Sequence, residues 1–398
     1  MVSRQQAGDT SFVSRAVLRL AAEPRVEVAR EVLATIERHI YQLWEAGWQP
    51  VDLDRIVARR LGQSEIRLVR WAIASQSATY EDLGRSAAPA WMGQLEQIEA
   101  GRTWSPGTTY LQQLEADGDW SEALAVAVRS TALLMSLPAL PLLVEPPSRW
   151  RAGATVDPGS LPGSVLSKVR SLLAKAESTT FEAEADAFTA KAQEMMTRHR
   201  IDRALLEAEG RGSEATPIGR RLAVDDPYAD AKSMLLARIA DANGCHTVWC
   251  KELGFSTAFG CAEELDAVEE LFTSLLVQAT VALRQQGSKY DNYGRSRTTR
   301  FRRSFLVAFA VRIGHRLGET VAATVTAVGG DQGLALVPLL AERDAAATRA
   351  AEEAFPEMTS YSPSATDGEG WHAGTRFGDL AEIDGPDKLD GGGFEEAA

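Results

Sequence analysis

Residues 168–201 read KVRSLLAKAESTTFEAEADAFTAKAQEMMTRHRI, and two successive helical patterns in this run set the architecture around it. Val165, Leu166, Val169, Leu172, Leu173 and Ala176 recur at the spacing of one amphipathic helix. Thr179 and Glu182 then make a capping-box pair for a second helix. In that helix Ala183, Ala187 and Ala190 allow close approach of a neighbour, with Phe188, Ala192 and Met195 on an adjoining stripe. Residues 164–210 are therefore expected to form a helical hairpin, a surface on which a protein partner could dock.

Upstream, residues 1–137 read as an all-helical domain. Val28, Val32, Leu33, Ile36, Ile40, Leu43 and Trp44 mark a helix from Pro24 to Trp44 that stops at Gly47. Asp52 is the expected cap of a short helix ending at Gly62, and further helices are expected around residues 66–75 and 121–134. Trp44, Trp48, Trp71, Trp91 and Trp120 read as core filling. Pro138, Pro141, Pro146, Pro147, Gly153, Pro158, Gly159 and Pro162 then break periodicity, so residues 138–163 are expected to be a linker. Downstream, residues 216–356 read as a small α+β domain with helices at 229–242, 263–286, 299–325 and 342–354. Its strands are expected at 246–253 and 255–259, turning at Gly254, with another near 334–340. Residues 357–398, rich in Gly and acids, are expected to be partly disordered. The fold class is α+β and mostly helical, with a short sheet.

The run from Lys168 to Ile201 resembles the DUF2786 domain, a family of uncharacterised function. The resemblance rests on the LLAKAEST segment, the acidic, alanine-rich start of the second helix, and Met196 with His199 at its end. Residues 228–317 resemble the domain that often follows it, through Gly244 and Cys245, Phe259 and Gly260, and the RRSFLVAFAVRI segment at 302–313. The helical region before Gly153 is similar to what actinobacterial members carry. The resemblance carries no catalytic residue with it.

Function is sought first in charge. The 398 residues carry a formal net charge of −13, which disfavours nucleic acid in general but not on a local basic face. Such a face is expected between Arg284 and Arg316. There Lys289, Arg295, Arg297, Arg300, Arg302, Arg303, Arg312 and Arg316 face one acid, Asp291, and are interleaved with Tyr290, Tyr293 and Phe301. Cations beside flat rings suit phosphates and unstacked bases, so a single-stranded nucleic acid is the expected partner. Residues 287–298 lack apolar periodicity and read as an exposed loop. The competing reading is that these arginines neutralise Glu263, Glu264, Asp266, Glu269 and Glu270.

Enzymatic signatures are sparse. Cys245, Cys250 and Cys261 cluster with His246, but no C-x-x-C pair exists, and only His246, Cys250 and Cys261 could converge on a metal across the hairpin. His315, His372 and Asp379 offer a second metal-assisted hydrolase geometry. Gly370, Gly374 and Gly378 recur every four residues, which suits tight turns or a closely packed helix but not a phosphate loop. His199 reads as a cap on helix-end carbonyls. No cofactor is implied. No apolar run approaches the roughly 20 residues of a membrane span, and the polar start lacks a secretion signal, so the cytoplasm is the expected location.

Overall fold

The computed structural model describes residues 10–82, 87–105, 107–150, 163–179, 182–210, 216–329, 333–359 and 363–380. It divides into two units, Met1–Asp157 and Pro158–Ala398. Among the described residues, no helix is long and apolar enough to cross a membrane.

The first unit is helical: α1 (Thr10–Ala21), α2 (Arg25–Glu45), α3 (Pro50–Arg60), α4 (Gln63–Asp82), α5 (Pro89–Gln97), α6 (Tyr110–Ala116) and α7 (Trp120–Ser136). Proline at the first position starts α3, where its missing N–H costs nothing. Asp52, expected as the cap, instead lies inside the first turn, and Gln49 holds the cap position. The tryptophans are core, as their bulk suggests. Trp44, Trp48, Trp71, Trp91 and Trp120 are all buried. Trp91 meets Trp44 edge-on at 5.1 Å and Trp150 at 5.2 Å. The indoles of Trp44, Trp48 and Trp71 find acceptors, on Gln76 at 2.9 Å, the Pro138 carbonyl at 2.8 Å and Thr103 at 2.6 Å, whereas the buried Trp120 Nε1 has none. The proline-rich stretch 138–150 thus folds back on these helices. Leu140 donates to the Ala46 carbonyl at 2.8 Å, and Gly47, at φ +89°, has no room for a Cβ against the Leu140 and Pro141 carbonyls. Residues 151–162 of the expected linker lie outside the described residues.

In the second unit α8 (Gly163–Ser178) and α9 (Glu182–Ala208) form the hairpin. There follow β1 (Ile218–Ala223), α10 (Ala229–Ala242), β2 (His246–Cys250), β3 (Phe255–Gly260), α11 (Ala262–Gln285), α12 (Thr298–Gly329), α13 (Gly333–Ala354) and α14 (Gly368–Leu380). The three strands pair antiparallel in the order β1-β3-β2, with His246 opposite Phe259 and Leu222 opposite Ser256. Every residue of β3 is buried. Helix α12 is the spine. Its stripe of Phe305, Phe309, Ile313 and Leu317 is fully buried, with α9, α10 and α14 packed around it.

One expectation is corrected and two elements are added. Residues 334–340 are not a strand but the start of α13, whose Leu336 and Leu340, one turn apart, bury against Ile201 and Ala204 of α9. Strand β1 was missed, because Arg220 and Arg221 mask its pattern. Residues 368–380 form an ordered helix within the C-terminal segment, while residues 381–398 lie outside the described residues. The capping box at Thr179 also differs. Its hydroxyl donates to Glu184 Oε2 at 2.8 Å.

Candidate nucleic-acid interface

Helix α11 ends at Gln285, and the chain reverses through Gly287, at φ +62°, into a narrow two-sided turn before α12. The Arg297 N–H donates to the Lys289 carbonyl at 2.9 Å, the Asp291 N–H to the Arg295 carbonyl at 2.9 Å, and Tyr290 bridges Ser296. Asp291 folds the tip. Its Oδ1 accepts from the backbone N–H groups of Tyr293 and Arg295, each at 2.9 Å, and its Oδ2 from Arg295 Nε at 3.0 Å. These bonds, led by the Arg295 amide, hold its carboxyl below the usual value. The turn presents Tyr290 and Tyr293, 61% and 84% exposed, with the Arg295 guanidinium 5.2 Å over the Tyr293 ring. Arg300, at the start of α12, and Arg284, at the end of α11, are also exposed.

The other expected cations do not turn outward together. Lys289 Nζ donates to Glu369 Oε1 at 2.9 Å. Arg297 Nη1 donates to both oxygens of Asp367, at 2.9 and 2.8 Å, and Nη2 pairs with Glu369. Arg303 donates to Asp230 Oδ2 at 2.9 and 2.6 Å and to the Ser364 carbonyl at 2.8 Å. Arg312 pairs with Asp379. Arg316, only 5% exposed, donates to the Gly378 carbonyl at 2.8 Å and cannot meet an external phosphate from there. The Arg302 Nε is buried without a hydrogen-bond partner. Internal pairing is therefore real, through Asp230, Asp291, Asp367, Glu369 and Asp379, while the acids named in the competing reading engage other cations. Glu264 engages Arg200 and Arg343, Glu263 engages Arg203, Asp266 and Glu269 engage Arg220, and Glu270 engages Arg170.

Lys289, Arg297, Arg312 and Arg316 hold α14 and its first turn, whereas Arg303 ties α12 to α10. Added Cβ atoms at Gly370, Gly374 and Gly378 would collide with Phe301, Phe305 and Arg312 in turn, so α14 runs parallel to α12 at backbone contact distance. Phe377 completes the seam 5.9 Å from Phe305 and 5.7 Å from Phe309.

The metal geometries do not assemble. His246 and Cys250 stand at opposite ends of β2, and among the described residues no group of three or more His, Cys, Asp or Glu could hold a metal ion. Burial pushes Cys245 well above the usual thiol value, Cys250 upward and Cys261 up to about 12, so all three stay protonated near neutrality. His315 and His372 are exposed on different helices, and Asp379 is taken by Arg312.

A second cluster went unanticipated. Arg200 Nε donates to Glu264 Oε1 at 3.0 Å, and Arg343 donates to the same oxygen at 3.2 and 3.1 Å. Arg343 also donates to Glu207 at 2.7 Å, and Arg200 pairs with Asp344. Comparison with known families finds a model for α8 and most of α9. Residues 164–203 match DUF2786, a protein of unknown function. No curated protein and no solved structure matches the chain. The regions before residue 164 and after 203 lie outside that match.

The DUF2786 segment supplies Arg200 to this buried network, and Gln193, seven residues earlier, donates its Nε2 to Asn243 Oδ1 at 3.1 Å. The glycines quoted from the following region acquire a reason here. A Cβ on Gly244 would strike the Arg200 guanidinium, and one on Gly260 would strike Cys245 Sγ. The cavity beside the network holds about 10 Å³, at the lower limit for one water, so the charges are packed for structure. His199 is not a helix-end cap, because α9 continues to Ala208, and its buried Nε2 has no partner. Of the expected close-approach alanines, Ala190 is buried in the core and Ala187 is exposed, while the side chain of Ala183 lies outside what is described; Ala192, on the adjoining stripe, is buried.

Proposed function

We propose that this protein binds single-stranded nucleic acid through the turn between α11 and α12, with Tyr290 and Tyr293 as stacking surfaces and Arg295 and Arg300 as phosphate contacts. The footprint is smaller than charge counting suggests, since Arg297, Arg312 and Arg316 hold α14 and Arg303 is bound to Asp230 of α10 and to the Ser364 carbonyl. The observation that carries the reading is a braced turn exposing two tyrosines and a ring-stacked arginine. Large aromatic surface left in water at a rigid, charged tip marks an interaction site more often than it serves folding. Few phosphates would be neutralised, so affinity is modest and salt weakens it.

Fluorescence anisotropy of a labelled oligothymidylate, at two salt concentrations, tests the reading. Tyr290→Ala with Tyr293→Ala is expected to weaken binding by about tenfold or more, from about 1–3 kcal/mol per stacked base. Absence of binding at low salt, or an affinity the double variant leaves untouched, would end it.

A further inference from the structure

In the first unit, α1 and α2 each pack against α7 while making little contact with each other. They diverge over α7 from the turn that joins them and leave an open groove of about 490 Å³. Its walls are Phe12 and Leu20 of α1, Val28 and Val32 of α2, and Val128 and Met135 of α7, and the small residues Ala16, Ala127 and Ala132 give it depth. One rim is acidic. Glu23, in the connection before α2, and Glu27 and Glu31, one turn apart on α2, are all exposed, and among the described residues the cation that meets them is the exposed Arg30, 3.4 Å from Glu31.

We propose that this groove is a binding site for an amphiphilic cation, a small molecule with an apolar body and an amine or quaternary ammonium end. The volume lies within the roughly 300–1,000 Å³ of small-molecule sites, and the apolar walls with polar groups at one edge match their usual anatomy. The charge of the rim selects the sign of the ligand. A fatty acid or lipid phosphate would place its anion among three carboxylates, whereas an ammonium there gains from all of them at once. Helix-dipole stabilisation accounts for Glu27 in the first turn of α2 but not for Glu31, which lies beyond it. The apolar body would replace water against half-buried Phe12, Leu20 and Val32, whose positions between packed helices leave them uncovered.

Calorimetric titration of the full chain with dodecyltrimethylammonium, and separately with dodecyl sulfate, each below its micelle concentration, tests this. The cation should saturate at one equivalent and bind about tenfold or more tighter than the anion. Thr131 of α7 also lines the groove, and Thr131→Trp, which fills it without changing charge, should weaken the cation by about tenfold or more. Glu23→Gln, Glu27→Gln and Glu31→Gln together, all at exposed positions that leave the core intact, should bring the cation to within about threefold of the anion. Equal affinity for both detergents, or cation binding that survives the triple variant undiminished, overturns the proposal. So does capture of a Leu/Lys amphipathic peptide, competed by Thr131→Trp, when the small cation fails to bind, since the occupant would then be a partner helix.

Discussion

Replacing Gly374 by alanine tests the seam directly. Its Cβ would lie 2.9 Å from the Phe305 carbonyl carbon and closer still to the oxygen, and neither atom can rotate away because both belong to the backbone of α12. Restoring van der Waals separation requires α14 to retreat by about 1 Å. That retreat opens the contacts of Ala373 and Phe377 and stretches the pairs of Glu369 with Lys289 and Arg297. Overpacking of this kind costs about 1–3 kcal/mol, and rigid backbone puts it at the upper end. Alanine returns roughly 1 kcal/mol as the better helix former, so the net loss is about 2 kcal/mol. Gly318 of α12 supplies the control, because nothing lies within 4 Å of its added Cβ. There the same substitution should stabilise by about 0.5–1 kcal/mol. Urea denaturation of both variants reads the difference, and amide exchange in 368–380 localises it. If Gly374→Ala proves as stable as Gly318→Ala, the glycines do not set the approach of the two helices and the seam is misdescribed.

Other expectations follow from the buried groups. Glu264→Gln leaves Arg200 and Arg343 without their shared carboxylate, and the loss should be about 3 kcal/mol in denaturant unfolding, whereas Glu342→Gln on the exposed face of α13 should change little. Burial holds His199 below its ordinary value, so the unfolded chain binds the proton first on acidification. Stability should therefore fall as pH drops below about 6.5, and His199→Leu should flatten that slope in melts at pH 7 and 5. At Asp367 burial opposes ionisation, but the Gly370 amide and Arg297 outweigh it, and at Glu369 Lys289 and then Arg297 lower the carboxyl. Both contribute above the ordinary carboxylate range and cease to contribute as pH falls through their lowered values, so exchange protection of α14 should be lost in acid before that of α10.

What could be read from the sequence was whatever repeats locally. Phe305, Phe309, Ile313 and Leu317 keep one helical face through a long element, and that face is fully buried. Residues 334–340 misled because their unbroken apolar run carries no period, and the turn-spaced burial of Leu336 and Leu340 exists only against Ile201 and Ala204 of a distant helix. Strand β1 depends wholly on its neighbour: Arg220 leaves the edge to pair with Asp266 and Glu269, so nothing in its six residues alternates. Helix α14 is built on glycine, a poor helix former, and its reason is the surface of α12. The candidate site was half legible. The exposed turn followed from composition, but Arg297 and Asp367 are 70 residues apart, a separation at which charge pairing leaves no local mark.

The seam and the turn are not independent. Lys289 and Arg297 bracket the turn and close it through the Arg297 N–H on the Lys289 carbonyl, and their side chains are fixed from below by Glu369 and Asp367 at the start of α14. A stacking surface gains affinity from being held in its bound form, because ordering then costs nothing on association. If the turn binds single strands, loosening α14 should weaken that binding although α14 meets no ligand. Gly374→Ala should then lose oligothymidylate affinity with Tyr290 and Tyr293 intact, and Gly318→Ala should not. An unchanged affinity in a variant whose α14 exchanges freely would mean that Asp291 alone braces the tip, through its bonds to Tyr293 and Arg295. In that event Asp291→Ala, which strips those bonds while making the turn more positive, distinguishes shape from charge: weaker binding follows from lost shape, and tighter binding would show that electrostatics alone governs the site.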